Sequence, residues 1–205
     1  MSGRENGFRG MLKLAIILAL YSAIACVGLA FVYSGTTKII AQRQQDDEMA
    51  ALKELFSDAD SFKPVSGIES HDPMVSIGGD NAYAALKNGS VMGLVLKTSR
   101  ASYSGPIIVL VGVAADSKIS GIRILEHSDT PGLGANAASN SYYVDRARGI
   151  RFYEQFAGKN VIDPFEPKQD VIAITAATIT SKAVAASVKA AGEAAALWFA
   201  SGGGK

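Results

Sequence analysis

Seven consecutive residues, Thr175-Ala176-Ala177-Thr178-Ile179-Thr180-Ser181, mix hydroxyls with small side chains and stand directly before an alanine-rich stretch of helical composition. The first-turn amides of a helix have no internal partner and carry the positive end of its dipole, so this junction favours a phosphate near Ser181 to Ala183. A hydroxyl there can bind a phosphate or be esterified by one. An ester needs an accessible hydroxyl with small neighbours, and beside Thr180 the residues Ala176 and Ala177 are small enough for the incoming group. Thr175, Thr178 and Ser181 add hydrogen bonds, and the helix amides complete a cradle. The same residues also suit a plain helix cap with Thr180 as the capping residue.

A second stretch, Ile124-Leu125-Glu126-His127-Ser128-Asp129-Thr130-Pro131-Gly132-Leu133-Gly134, passes from strand-like residues into a turn. Gly132 and Gly134 let backbone approach a planar ligand, Pro131 fixes the turn, and Leu133 offers an apolar contact. Asp129 and Thr130 bring polar groups. An ordinary Pro-Gly turn would carry the same residues. His127 has no second histidine beside it and reads as a residue that orients the loop, not as a metal ligand.

In this order and separation, the two stretches resemble the two signatures of the FMN-binding subunits of membrane electron-transport complexes. The resemblance takes in Tyr103-Ser104-Gly105-Pro106-Ile107 and Phe156-Ala157-Gly158-Lys159, and so most of the chain from about Gly89 onward. Within that FMN-binding domain family the chain resembles the G subunits of Rnf complexes. The related C subunits of sodium-translocating NADH:quinone reductases, usually longer ahead of the flavin domain, are the alternative.

The resemblance implies FMN bound covalently through Thr180, and a loop in which Asp129 and Thr130 hydrogen-bond the ring or ribityl chain while Gly132, Leu133 and Gly134 lie against the ring. It further implies an electron relay in an ion-translocating ferredoxin:NAD oxidoreductase, with no substrate of its own. The implied partners are other membrane and iron-sulfur subunits and a flavin transferase for maturation. A reading from another class is a membrane-tethered sensor that holds flavin reversibly. The chain departs from the pattern twice. The family's aspartate position is Ile172, with Asp170 two residues upstream, and the family glycine is replaced by Ala176. If Asp170 cannot stand in, flavin attachment is slow or the cofactor is merely bound.

At 205 residues the chain has room for one ordinary domain and an appendage. From Leu14 to Tyr33 no residue is charged, a run long enough to cross a bilayer, and a transmembrane helix is expected over 14–34. Arg4, Arg9 and Lys13 precede it, whereas Lys38 and Arg43 are soon joined by Asp46, Asp47 and Glu48, which favours a cytoplasmic N-terminus (1–13) and an extracytoplasmic domain. A helical connector is expected over 35–60, the FMN-binding domain over 61–200, and a disordered tail over 201–205. Cys26, the single cysteine, excludes an intrachain disulfide, and a net charge of +1 with no basic stripe argues against nucleic acid.

The elements that must position the site follow from patterning. Val91–Thr98, Pro106–Ala114 and Ile119–Leu125 read as an antiparallel meander. Residues 61–80 read as loop with at most a short strand, Ser141–Ala157 as one or two short helices, and Val171–Ile174 as a last strand. Ser181–Phe199 reads as a long helix with Val184, Val188 and Leu197 inward. The fold class is thus α+β: a transmembrane helix, then a mainly antiparallel sheet with packed helices. No P-loop, Rossmann glycine pattern or nucleophile-and-base pair is present, so the chemistry falls to the cofactor.

Overall fold

The computed structural model describes residues 2–203, and their side chains except those of residues 2–9 and 78–81. The flanking charges of Arg4 and Arg9, and Gly204 and Lys205 of the tail, lie outside the described side chains and residues. The chain divides into two units, residues 1–47 and 48–205.

In the first unit the described residues, 2–47, all belong to helix α1 (Ser2–Leu55). The unit's described apolar side chains are bare, with Leu14 68% and Phe31 82% exposed. That surface is incompatible with water and suited to lipid. Where the apolar run ends, the hydroxyls of Ser34, Thr36 and Thr37 donate back to the carbonyls of Ala30, Val32 and Tyr33 at 2.8, 2.9 and 2.6 Å. Each is satisfied without a partner outside the helix.

The second unit is built on a five-stranded antiparallel sheet in sequence order, β1 (Ser61–Val65), β2 (Val75–Lys87), β3 (Ser90–Ala101), β4 (Pro106–Ala114) and β5 (Ile119–Glu126). Alternation divides its core. Leu94, Leu96, Val109 and Val111 face helix α2 (Thr178–Ala200), meeting Val184, Val188 and Ala191, whereas Val95, Leu110 and Ala85 face Ala51, Leu52 and Phe56 at the end of α1. Gly93 is bare because the Phe56 ring lies where its Cβ would be.

The sheet has two strands more than the meander expected from sequence. β1 carries Pro64, which an edge strand tolerates, and β2 is rich in alanine, a poor strand former. Packing against two helices favours those small side chains and overrides propensity. Ser141–Ala157 is mostly not helical: it forms a hairpin of β6 (Tyr143–Asp145) and β7 (Ile150–Arg151), then one short 3₁₀ helix at Glu154–Phe156. Asp145 accepts the Arg148 amide, and Gly149 at φ +69° closes the turn. Val171–Ile174 forms no strand. At the other end of α2, Gly202 (φ +89°) and Gly203 donate to the carbonyls of Phe199 and Trp198, so 201–203, expected to be disordered, form a capping turn.

Candidate functional site

Strand register brings the site together. Ala101 pairs with Pro106 and Ile108 with Glu126, so the β3–β4 turn and the chain leaving β5 emerge at the same end of the sheet. The first turn of α2 meets them there. Asp129, only 5% exposed, accepts the Ser102 hydroxyl at 2.5 Å and the Thr180 hydroxyl at 2.7 Å on one oxygen, and the Ser104 amide at 2.9 Å on the other. Burial is the largest single influence on its carboxyl and opposes ionisation. The three hydrogen bonds, with the nearby His127, outweigh it and hold Asp129 below the usual carboxylate range. Asp129 is therefore an anion without a basic side chain in hydrogen-bond or ion-pair contact among the described residues.

Gly134 passes directly against this pair. A Cβ there would lie 2.5 Å from the Thr180 hydroxyl and 2.7 Å from the Asp129 carboxylate. Gly132 acts differently. At φ +79° it makes the turn, and its carbonyl accepts the Asn136 side chain at 2.8 Å.

Helix α2 starts at Thr178, three residues earlier than the sequence suggests, because Thr178, Ile179 and Thr180 are β-branched and so weak helix formers. The residue at the cap position is Ala177, whose side chain makes no capping hydrogen bond, so Thr180 is the third residue of the helix and not its cap. Ser181 turns inward. Its hydroxyl accepts the Ile174 amide and donates to the Ala177 carbonyl, both at 2.9 Å, and so staples the junction; it has no part in a phosphate cradle. Ala176 sits at φ +60°, the left-handed region, which explains why glycine suits this position.

Above Thr180 opens a cavity of about 450 Å³ lined by Asp129, Thr130, Leu133 and Gly134 on one side and Ala176–Thr180 on the other, with Tyr103 from the β3–β4 turn. Of the residues expected from sequence, Thr175, Ser181 and Gly132 are not in its wall. Tyr103, Ile179, Ser102 and Ser104 are gains. Sequence reasoning assigns no role to Ser102, Tyr103 and Ser104 because their stretch reads as a strand joint, and the clue is that a meander places this joint beside the end of β5; Ile179 lies within the threonine run but carries no polar group to single it out. Tyr103 (71%), Ile179 (53%) and Leu133 (42%) are exposed, giving the cavity an apolar rim above a polar floor.

Asp170 does not reach this cavity. It accepts the amides of Phe165 and Glu166 at 3.2 and 2.8 Å and the Lys159 ammonium at 3.0 Å, closing a turn in which Phe165 and Lys168 have positive φ. The Ile172 side chain is exposed and its amide is held by Gln155 at 2.7 Å. Neither position supplies a carboxylate to the cavity wall.

Two family models match the chain: one described as an FMN-binding domain, over residues 102–193, and one as the RnfG N-terminal region, over residues 1–55. Similar curated proteins include the G subunit of the proton-translocating ferredoxin:NAD(+) oxidoreductase complex of Clostridium ljungdahlii, 32% identical over 86% of either chain. The G subunit of the Na(+)-translocating complex of Acetobacterium woodii is 32% identical over 86% of this chain and 87% of its own. The G subunit of an ion-translocating oxidoreductase complex of Aliivibrio fischeri is 30% identical over 92% and 90%. Among solved structures, NqrC of Shewanella oneidensis is similar at a TM-score of 0.42 and 16% identity over 65% of either chain.

Proposed function

Because the chain belongs to the RnfG family, the G subunits of ion-translocating ferredoxin:NAD oxidoreductase complexes, we propose that it is a membrane-anchored flavoprotein carrying FMN esterified to Thr180. The observation that carries this reading is the position of Thr180, whose residue lines the floor of a cavity built by the first turn of α2 and the Asp129–Gly134 loop. FMN has an anionic end and a flat, largely apolar ring. The free first-turn amides suit the phosphate, Thr178 adds a hydroxyl, and Tyr103, Leu133 and Ile179 offer apolar surface to the ring. The donor set thus fits the group.

Bound flavin would supply one- and two-electron carriage, and the chain's own residues hold it and exclude water from its attachment point. The protein acts as a relay among the other membrane and iron-sulfur subunits of the complex, after loading by a flavin transferase. Its domain lies outside the cytoplasm, a topology supported by the charges flanking residues 14–33.

In-gel flavin fluorescence of the full-length protein should survive SDS and vanish in Thr180→Val, which keeps the shape and removes the hydroxyl. An ester found on Thr178 would overturn the assignment. For the topology, a cysteine placed at Gly202 in a Cys26→Ser background should react with an impermeant thiol reagent in intact cells. Labelling only after lysis would invert it.

A further inference from the structure

Asp129 is buried, ionised and free of any basic side chain in hydrogen-bond or ion-pair contact among the described residues, an arrangement that costs stability unless its three donors are held in place. One of those donors is the Thr180 hydroxyl, at 2.7 Å. We propose that Asp129 is the general base of flavin attachment: it orients the Thr180 hydroxyl and accepts its proton as the phosphoester forms. This rests on the reading of Thr180 as the flavin-bearing residue.

In that step the O–H bond of Thr180 breaks as its oxygen forms a bond to phosphorus, and the phosphorus–oxygen bond to the leaving group breaks. Condensing an alcohol with a free phosphate in water is uphill, so the donor is a flavin phosphoanhydride, a flavin dinucleotide, and a nucleoside monophosphate departs. Nothing is oxidised or reduced. The proton passes to Asp129 and on to solvent.

Three features of the structure suit this role better than plain packing. With its one proton aimed at Asp129, the Thr180 oxygen keeps its lone pairs for phosphorus. Ser102 and the Ser104 amide grip the carboxylate independently of Thr180, so it stays in place once the threonine proton has left. Gly134 packs against both reacting groups without a Cβ that would force them apart. Phosphoryl transfer depends mainly on positioning and electrostatics, which this arrangement provides before a donor arrives.

The test follows esterified protein by intact mass after induction of full-length wild type, Asp129→Asn, Asp129→Glu and Thr180→Val in cells that perform the loading. Reversible FMN affinity and thermal melting are measured on each unloaded chain. Asp129→Asn keeps the shape and should load about 10²- to 10⁴-fold more slowly, a loss far larger than any change in its FMN affinity or melting, while Asp129→Glu, which restores a carboxylate, recovers most of the rate. Loading of Asp129→Asn at the wild-type rate, with Thr180→Val still unesterified, would overturn the base and leave the attachment residue standing. Equal losses of loading, affinity and melting in Asp129→Asn would also overturn it, in favour of a structural role. Wild type without any ester would instead remove the reading on which the proposal rests.

Discussion

Asp129, buried, and Asp170, half-buried, both accept backbone amides and both titrate below the usual carboxylate range, yet they do opposite things. Asp170 is neutralised by Lys159 and spends its remaining capacity on the amides of Phe165 and Glu166. All its partners belong to the fold. Asp129 has no such cation; two of its donors are hydroxyls, and it stands in the wall of a cavity. A carboxylate whose partners are amides and a lysine holds a turn, whereas one whose partner is the hydroxyl of a cavity-lining residue can do chemistry on that hydroxyl. A depressed carboxyl group alone does not separate the two; the identity of the donors does.

Breaking the structural half of this comparison should give the largest loss of stability. Asp170→Ala leaves the Lys159 ammonium with the residue-170 carbonyl alone and strands two amides in a turn with two left-handed residues, and should cost about 2–3 kcal/mol in urea unfolding of the full chain. The esterified fraction of the protein that remains folded should be unchanged. Gly134→Ala probes the other half. Its Cβ must push apart Thr180 and Asp129, at about 1–2 kcal/mol, but here loading should fall with stability because the displaced atoms are the reacting ones. A Gly134→Ala protein that loads normally would mean that the hydrogen bond between Asp129 and Thr180 is dispensable.

Acid should weaken both regions. For each aspartate the folded-state value lies below the ordinary 3.8, so its contribution is complete above that pH and is lost as pH falls through the folded value. Stability curves against pH for Asp129→Asn and Asp170→Asn should each be flatter than wild type in that acid range and parallel to it near neutrality. The smallest effect is a gain: Ala176→Gly should add up to about 1 kcal/mol by relieving the φ of +60°. Melting temperature would report it, with the cavity otherwise unaltered.

The halves of the site are unequally legible in the sequence. Thr180, Thr178, Leu133 and Gly134 are readable because local motifs carry them, and each motif is contiguous in the chain. Their meeting is not readable. The loop and the threonine are 51 residues apart and look like separate sites, one for a ring and one for a phosphate, whereas Asp129 and Thr180 are in contact. Ser102 and Ser104 are hidden for the same reason, since only register places the β3–β4 turn beside Asp129. Ser181 misleads because its hydroxyl is identical in sequence whether it faces a phosphate or the Ile174 amide. In the fold, β3 to β5 announce themselves through valine, isoleucine and leucine. The alanines of β2 and the proline of β1 contradict strand propensity and become intelligible only against the helices packed on the sheet and the open edge.

Whether the oxygen of Thr180 is the point of flavin attachment can be decided by intact mass spectrometry of full-length wild type and Thr180→Val purified from the same membranes. Wild type should carry the mass of one FMN ester, with the modified peptide containing Thr180, and Thr180→Val should have the mass of its bare sequence. A wild-type chain of unmodified mass, or an FMN increment that persists in Thr180→Val, would contradict it.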